Sequence, residues 1–319
     1  MQKFQEECPG IFWRVNNYAH ECTLTPEGQD VDYSKVDFSE LCTFLEFIEL
    51  REYGGGERWK DSGSKEKLSL RYYLAKTILE AMPNVDDIPS IYIDFANELH
   101  EGDIVITFNW DPLLEVALQT VGKKYCYNYE NPNAIKLCKL HGSVNWRLGG
   151  LHEYQTSPIN LGWKSLKFTD GILDTEMYFS DKLINYSAWS GDERNSQVEP
   201  FLVLPGYGKA FDVRSNAVLW YKPEFIFGFT HDVYIIGLSL AQDDFFIRSF
   251  FLSNLPHLAR NSASDARHIH IINPAGDVNE NYDFVLNVGN STLHNEKFED
   301  KHIAMMKYNR NLTSQSITP

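Results

Sequence analysis

Ile104-Val105-Ile106-Thr107-Phe108 runs directly into Asn109-Trp110-Asp111-Pro112-Leu113-Leu114-Glu115, and the reading of this stretch decides the fold class. Its first five residues are apolar or β-branched with no polar alternation until the end. That is the pattern of a strand buried on both faces of a parallel sheet. Asp111 is then a natural N-cap and Pro112 a natural first residue of a helix that reaches about Val121.

The same grammar recurs outward from this point. Lys136 to Leu140 reads as a strand ending at His141-Gly142, Phe201 to Leu204 as another, and Val233 to Leu238 as another, followed by a helix from about Ala241 to Arg260. His268 to Ile272 is a further strand, and Ala217 to Phe227 has helical spacing interrupted by Pro223. Strands alternating with helices predict an α/β class: a Rossmann-like open parallel sheet with helices on both faces. Residues 1–100 read as a mainly helical N-terminal part. Phe38 to Tyr53 carries Leu41, Phe44, Leu45 and Ile48 at helical spacing and ends at Gly54-Gly55-Gly56. Leu68 to Met82 is a second helix stopped by Pro83, and Ser90 caps a third reaching about His100, while Ile11 to Val15 reads as a short strand. Residues 101–146 and 201–290 form the expected core, and 147–200, rich in Gly, Ser, Asp and aromatics, a loop-rich insertion or lid. Residues 291–319 are read as a polar tail, frayed from Asn309 onward.

Composition narrows the function classes. Among 319 residues, 44 acidic side chains outnumber 29 basic ones, giving a net charge of −15 that repels phosphate backbones and argues against direct nucleic-acid binding. A local basic site can still hold a small anionic cofactor. The five cysteines form no Cys-x-x-Cys pair, so neither a zinc ribbon nor a thioredoxin-type motif is present, and no metal is expected. Scattered cysteines, a polar N-terminus and no run approaching about 18 apolar residues read as a cytoplasmic protein with no membrane segment. The aromatic content of 14% leaves room for a homo-oligomer or a protein partner without locating an interface.

Ligands of open α/β sheets bind beyond the carboxyl ends of the strands. The polar residues there are Asn109, Asp111, His141, Ser239 and Asn273. Asn-x-Asp-Pro is a sufficient helix start, and it also puts the Asn109 amide at a strand tip, where it can hold a water or a ribose hydroxyl. His141 beside Gly142 is either a turn histidine bonded to a carbonyl or a group that approaches a ligand closely. Ser239 and Gln242 fit a capping box with Asp243 and Asp244 in the first turn; Gly237 and Ser239 alternatively face a phosphate.

The ordered set Thr-x-Asn-x-Asp-x-Leu-Leu-Glu (107–115), Lys-Leu-His-Gly-Ser (139–143), Ile-Ile-Gly-Leu-Ser-Leu (235–240) with Asp243-Asp244 and Ile247-Arg248, and Ile-Asn-Pro (272–274) resembles the sirtuin-like family across residues 103–275. The resemblance implies that Asn109 sits at the nicotinamide ribose, that Asp111 supports its loop, and that His141 is the catalytic histidine. It further implies that Thr107, Gly237 and Ser239 lie near the cofactor and that Asn273 meets the adenosine ribose. The reaction implied is cleavage of the nicotinamide–ribose bond of NAD as substrate. Deacetylating members carry a zinc module of four cysteines that this chain lacks, so water is the expected acceptor, giving ADP-ribose and nicotinamide. Zinc-less relatives act as NAD-depleting effectors in bacterial antiphage defence, which makes that setting an expectation here.

The family opens on a strand and a Gly-Ala-Gly-x-Ser loop, and nothing in the chain matches it. Gly54-Gly55-Gly56 comes after a helix, the wrong context for such a loop. Either the start of the protein lies upstream of Met1, or a segment such as Gly10–Val15 substitutes structurally. The alternative expectation is a catalytically silent module that keeps the shell and binds a protein partner.

Overall fold

The apolar spacing of the N-terminal part becomes helices α1 (Pro9–Cys22), α2 (Phe38–Tyr53), α3 (Lys65–Ala81) and α4 (Ser90–Glu98). The structure is a computed structural model that describes residues 9–26, 28–53, 65–128, 131–148, 164–169, 174–180, 200–213, 216–221, 230, 232–241, 244–258, 268–286 and 290–316. Ile11 to Val15 therefore belongs to a helix rather than a strand. Val15 and Ala19, four apart, are both buried, so the apolar period is helical and a five-residue window is too short to reveal it. This segment does not replace a missing strand. Ser90 is the first residue of α4 and Pro89 its cap, with no side-chain cap bond. Gly54-Gly55-Gly56 lies outside the described residues.

Strand β1 (Ile104–Thr107) leads into α5 (Leu113–Thr120), and β2 (Tyr125–Cys126) and β3 (Ile135–Lys139) come next. They form a parallel three-stranded sheet in the order β1-β3-β2. The more buried strand is β3, in which only Lys136 is half-buried; β1 is half-buried along its length, because it is the end strand of its sheet. Strands β4 (Gly142–Leu148), β5 (Lys164–Thr169), β6 (Asp174–Phe179) and β7 (Pro200–Leu202) make a four-stranded antiparallel sheet, ordered β5-β6-β4-β7. Two expectations are corrected here. The 147–200 region contains a pair of antiparallel strands, and the strand near Phe201 to Leu204 joins the antiparallel sheet, not a parallel one. Turn chemistry explains both: the chain reverses at His141-Gly142, so β3 is succeeded by a strand running back instead of a crossover helix.

After the short helices α6 (Ala210–Val213) and α7 (Ala217–Tyr221), β8 (Asp232–Ile236), α8 (Phe245–Leu258), β9 (His268–Ile272), α9 (Asp283–Leu286) and β10 (Asn290–His294) complete a second parallel sheet, ordered β10-β9-β8. The chain is thus mixed α/β with two three-stranded parallel sheets among the described residues. Helix α10 (Asp300–Ser316) covers Asn309 to Ser316, which the sequence alone presents as a frayed tail. Tertiary partners order it: Arg310 meets Asp103 at 2.9 Å, and Asn309 donates to the Tyr234 hydroxyl at 2.8 Å. One helix therefore ties the start of β1 to β8.

Three cores result. The largest joins Leu137, Leu140, Ile235, Phe250 and Ile271, with Val105, Ile106 and Phe108 of the β1 region packed on it. A second packs α1, α2 and α3 on Val144 and Leu202 of the antiparallel sheet, and a third joins α4 and α5 to Ile135. No helix among the described residues is long and apolar enough to cross a membrane.

Gly142 has φ of +74°, and an added Cβ would overlap the Phe201 carbonyl and lie 2.7 Å from its ring carbon Cδ1. Gly122, at φ +72°, has nothing within 4 Å. Gly122→Ala should therefore cost only the left-handed strain of about 1–2 kcal/mol. Gly142→Ala should cost clearly more and open the β4–β7 pairing. Thermal melts of the two variants check this; equal losses would mean that the close approach to Phe201 does not matter.

Candidate functional site

At the end of β1 the Thr107 hydroxyl accepts the Asn109 N–H at 3.1 Å, a local turn that stops the strand. Asp111 Oδ1 accepts the Leu113 N–H at 3.1 Å, so its carboxylate caps α5 although Pro112 holds the cap position itself. The Asp111 carbonyl receives the Lys139 ammonium at 2.6 Å, and the same ammonium meets Glu115 Oε1 at 2.9 Å. The Lys139 and Glu115 side chains are only 1% and 4% exposed. Removing one partner of such a pair typically costs about 3–5 kcal/mol, because the other charge stays buried.

The network continues through buried groups. The Tyr127 hydroxyl donates to Glu115 at 3.2 Å, and Asn145 Nδ2 donates to the Tyr127 oxygen at 3.1 Å and to the Ser180 carbonyl at 2.7 Å. Burial, reinforced by the Glu115 charge, holds the Tyr127 phenol well above its ordinary range, so it remains a donor. The Ser143 hydroxyl and Val144 N–H both bond the Trp110 carbonyl, at 3.1 and 3.0 Å. Lys139, Ser143 and Val144 thus clamp the loop after β1 and the first turn of α5 from one side.

Between those clamps sits His141. Its ring packs edge-on to Phe108 at 5.2 Å and lies 5.9 Å from Trp220, while its Nε2 is buried and has no partner. Burial, and then the Lys209 ammonium, pull its pKa from 6.5 down to about 4, with Asp244 acting in the opposite sense. Lys209 and Asp244 pair at 2.5 Å, and Asp244 Oδ1 also accepts the Ile247 N–H at 3.0 Å.

A cleft of about 430 Å³ opens here, within the roughly 300–1,000 Å³ range of small-molecule sites. Asn109, Trp110, Asp111 and His141 give it a polar side, and Phe38, Ile78, Phe108 and Pro205 the apolar walls. Trp110 Nε1 is a second ring nitrogen that is buried without a hydrogen-bond partner. Asn109 is exposed, which leaves its amide accessible to a ligand.

The other candidates lie at the ends of the second sheet and do not line the cleft. Gly237, at φ +66°, donates its N–H to the Ile272 carbonyl at 2.9 Å. The Ser239 carbonyl accepts from Asn281 at 3.0 Å. Asn273 is buried, with its amide donated to Leu238 O at 2.7 Å and its oxygen accepting the Ala275 N–H at 3.0 Å. The expected capping box at Ser239 does not form. Leu240 has φ of +46°, which turns the chain away from a helix, so α8 starts at Phe245 with Asp244 bonding its first turn; Gln242 and Asp243 lie outside the described residues.

Sequence reading misses Trp110, Lys209, Asp244 and Trp220 as neighbours of His141. The strand-end rule would have found one of them: applied after Phe201 to Leu204, it points to the Pro205–Lys209 loop. Trp220 has no comparable signal, because its Nε1 reaches the Leu140 carbonyl at 3.1 Å across 80 residues of chain.

One grouping resembles a metal site. His294, Glu296 and His302 hold possible ligand atoms within 4.8 Å of one another. His302 Nδ1 accepts the Glu299 N–H at 3.0 Å, which puts its proton on Nε2, and that nitrogen faces Glu296 Oε1 at 3.0 Å. A protonated nitrogen is a donor and not a ligand, so this grouping caps the start of α10.

Compared with known proteins, the chain matches no family model and no curated sequence.

The depressed pKa of His141 has a consequence for stability. Between pH 6.5 and about 4 the unfolded chain binds the proton that the folded chain refuses, so this contribution is present above pH 6.5 and lost as pH falls towards 4. His270, lowered to about 4 by burial and by His268 and His294, acts in the same direction. The melting temperature should fall between pH 7 and pH 5, and His141→Gln should shrink that fall. An unchanged fall in the variant would show that His141 titrates normally.

Proposed function

We propose that the chain is a Rossmann-like, sirtuin-like protein that hydrolyses NAD to nicotinamide and ADP-ribose at the cleft of Asn109, Asp111 and His141. The observation that carries this reading is the convergence in one cleft of an exposed amide, a capping aspartate and a buried imidazole whose Nε2 is unused. A Rossmann-like sheet is supported by two parallel groups of strands that share one core and are tied together by α10.

The chemistry asks little of the protein beyond positioning. The bond between the ribose C1′ and the nicotinamide nitrogen breaks with its electron pair going to the nitrogen, which turns a cationic leaving group neutral. Water bonds to C1′, and its proton goes to the unprotonated His141 Nε2 and then to solvent. Asn109 orients the water or a ribose hydroxyl, and the apolar walls exclude competing water. Positioned acid–base help of this kind is typically worth about 10²–10⁴-fold. An effector role in antiphage defence is the cellular setting that this activity would serve.

A second reading has its own observation. Asn273 and the Gly237 N–H spend their hydrogen bonds inside the fold, so two contacts expected of a cofactor site are occupied by structure. This favours a silent interaction module.

Nicotinamide release from NAD by the purified chain separates the two readings. The wild type should release nicotinamide, and His141→Ala and Asn109→Ala should lower the rate by at least about 100-fold while leaving the fold intact. Release that persists undiminished in His141→Ala would refute the assigned site, and no release from the wild type would favour the silent module.

A further inference from the structure

Tyr207 and Phe245 are each 61% exposed, and their rings touch, with centroids 6.4 Å apart and planes inclined by 37°. Singly exposed aromatics are common on protein surfaces. Two that face one another from separate segments, on rigid backbone, beside a cleft with unused polar groups, are a different matter.

The backbone beneath them is fixed. The Tyr207 N–H bonds Thr43 Oγ1 at 3.1 Å, and the next N–H, of Gly208, bonds the buried Glu46 carboxylate at 2.7 Å. An added Cβ at Gly206 or Gly208 would lie 2.5 or 2.6 Å from that carboxylate and would displace it, so both glycines flanking Tyr207 pack directly on Glu46. Phe245 comes directly after Asp244, which is pinned by Lys209 and by the first turn of α8. The segments that carry the pair also approach the candidate site. Phe246, beside Phe245, lies 6.2 Å from Trp220, which in turn lies 5.9 Å from His141. Pro205, two residues before Tyr207, lines the cleft itself.

We propose that Tyr207 and Phe245 form a stacking platform for the adenine ring of a nucleotide whose other end lies in the cleft at His141. This rests on the NAD-cleaving reading for the identity of the whole ligand, but the platform makes its own demand. The cleft wall takes the nicotinamide end, because the bond to be broken must reach Asn109 and His141. The heterocycle at the far end then needs a flat apolar surface outside the Lys209–Asp244 pair, and the two exposed rings provide it. Stacking tolerates any purine face and needs no hydrogen-bond readout, and removing one aromatic partner commonly weakens base binding by about tenfold. Holding the rings on fixed backbone lowers the ordering cost of binding.

Calorimetric titration of the full chain with AMP and with nicotinamide mononucleotide tests the platform. Tyr207→Ala and Phe245→Ala, both at exposed positions, should each weaken AMP binding by about tenfold, leave nicotinamide mononucleotide binding unchanged, and be rescued by Tyr207→Phe and Phe245→Tyr. AMP that fails to bind the wild type, or that binds both alanine variants equally well, overturns the proposal. If AMP behaves as expected but NAD releases no nicotinamide, the platform stands and the NAD-cleaving reading falls. If nicotinamide is released with an unchanged KM in both alanine variants, the reaction stands and the platform falls.

Discussion

The Lys139 ammonium, with 1% of its side chain exposed, sits between the Glu115 carboxylate and the Asp111 carbonyl. An unpaired ammonium there would be prohibitively desolvated, so strand β3, helix α5 and the loop after β1 are obliged to meet at one point. The obligation then spreads. Glu115 also engages Tyr127, Tyr127 engages Asn145, and Asn145 reaches Ser180 next to β6, so the parallel and antiparallel sheets are joined through one buried polar chain. Ser143 closes the arrangement on the Trp110 carbonyl.

This framework divides the labour among the polar residues. Lys139, Glu115, Ser143 and Asn145 are engaged with one another and with the surrounding backbone. Among the described residues that line the cleft, His141 Nε2 and Trp110 Nε1 have no hydrogen-bond partner and Asn109 is exposed. The burial that makes the framework rigid also keeps His141 neutral at ordinary pH, with Lys209 adding to the effect. Rigidity and proton affinity thus have a common origin. Gly142 is the pivot of the scheme: its positive φ lets the chain reverse and brings β4 against β7, whose neighbour Val203 bonds the His141 carbonyl.

Sequence signals are legible where local chemistry decides the outcome. The strand at His268–Ile272 and the helix at Phe38–Tyr53 arise from short-range periodicity alone. Asp111 as a cap is announced by the Asx grammar. The failures have non-local causes. Pro9–Cys22 needs a window wide enough to include Ala19, and α10 is ordered by Asp103 and Tyr234, some 207 and 75 residues away. The antiparallel sheet depends on the reversal at Gly142, which no periodicity announces. At the site, the strand-end rule selects Asn109, Asp111 and His141, whereas Lys209 and Trp220 arrive from distant segments. The capping box at Ser239 fails because the backbone turns left-handed at Leu240, a conformation leucine rarely adopts and a sequence does not advertise.

Everything proposed for the cleft turns on His141 Nε2 being its free group and meeting the ribose of a bound dinucleotide. The most direct test is nitrogen NMR of histidine-labelled full chain, titrated with ADP-ribose. The expected result is a shift of the His141 Nε2 resonance that saturates with the ligand, while the His302 signals, held by Glu299 and Glu296, stay in place. Saturable ADP-ribose binding that leaves His141 unmoved, or no binding at all, would contradict it.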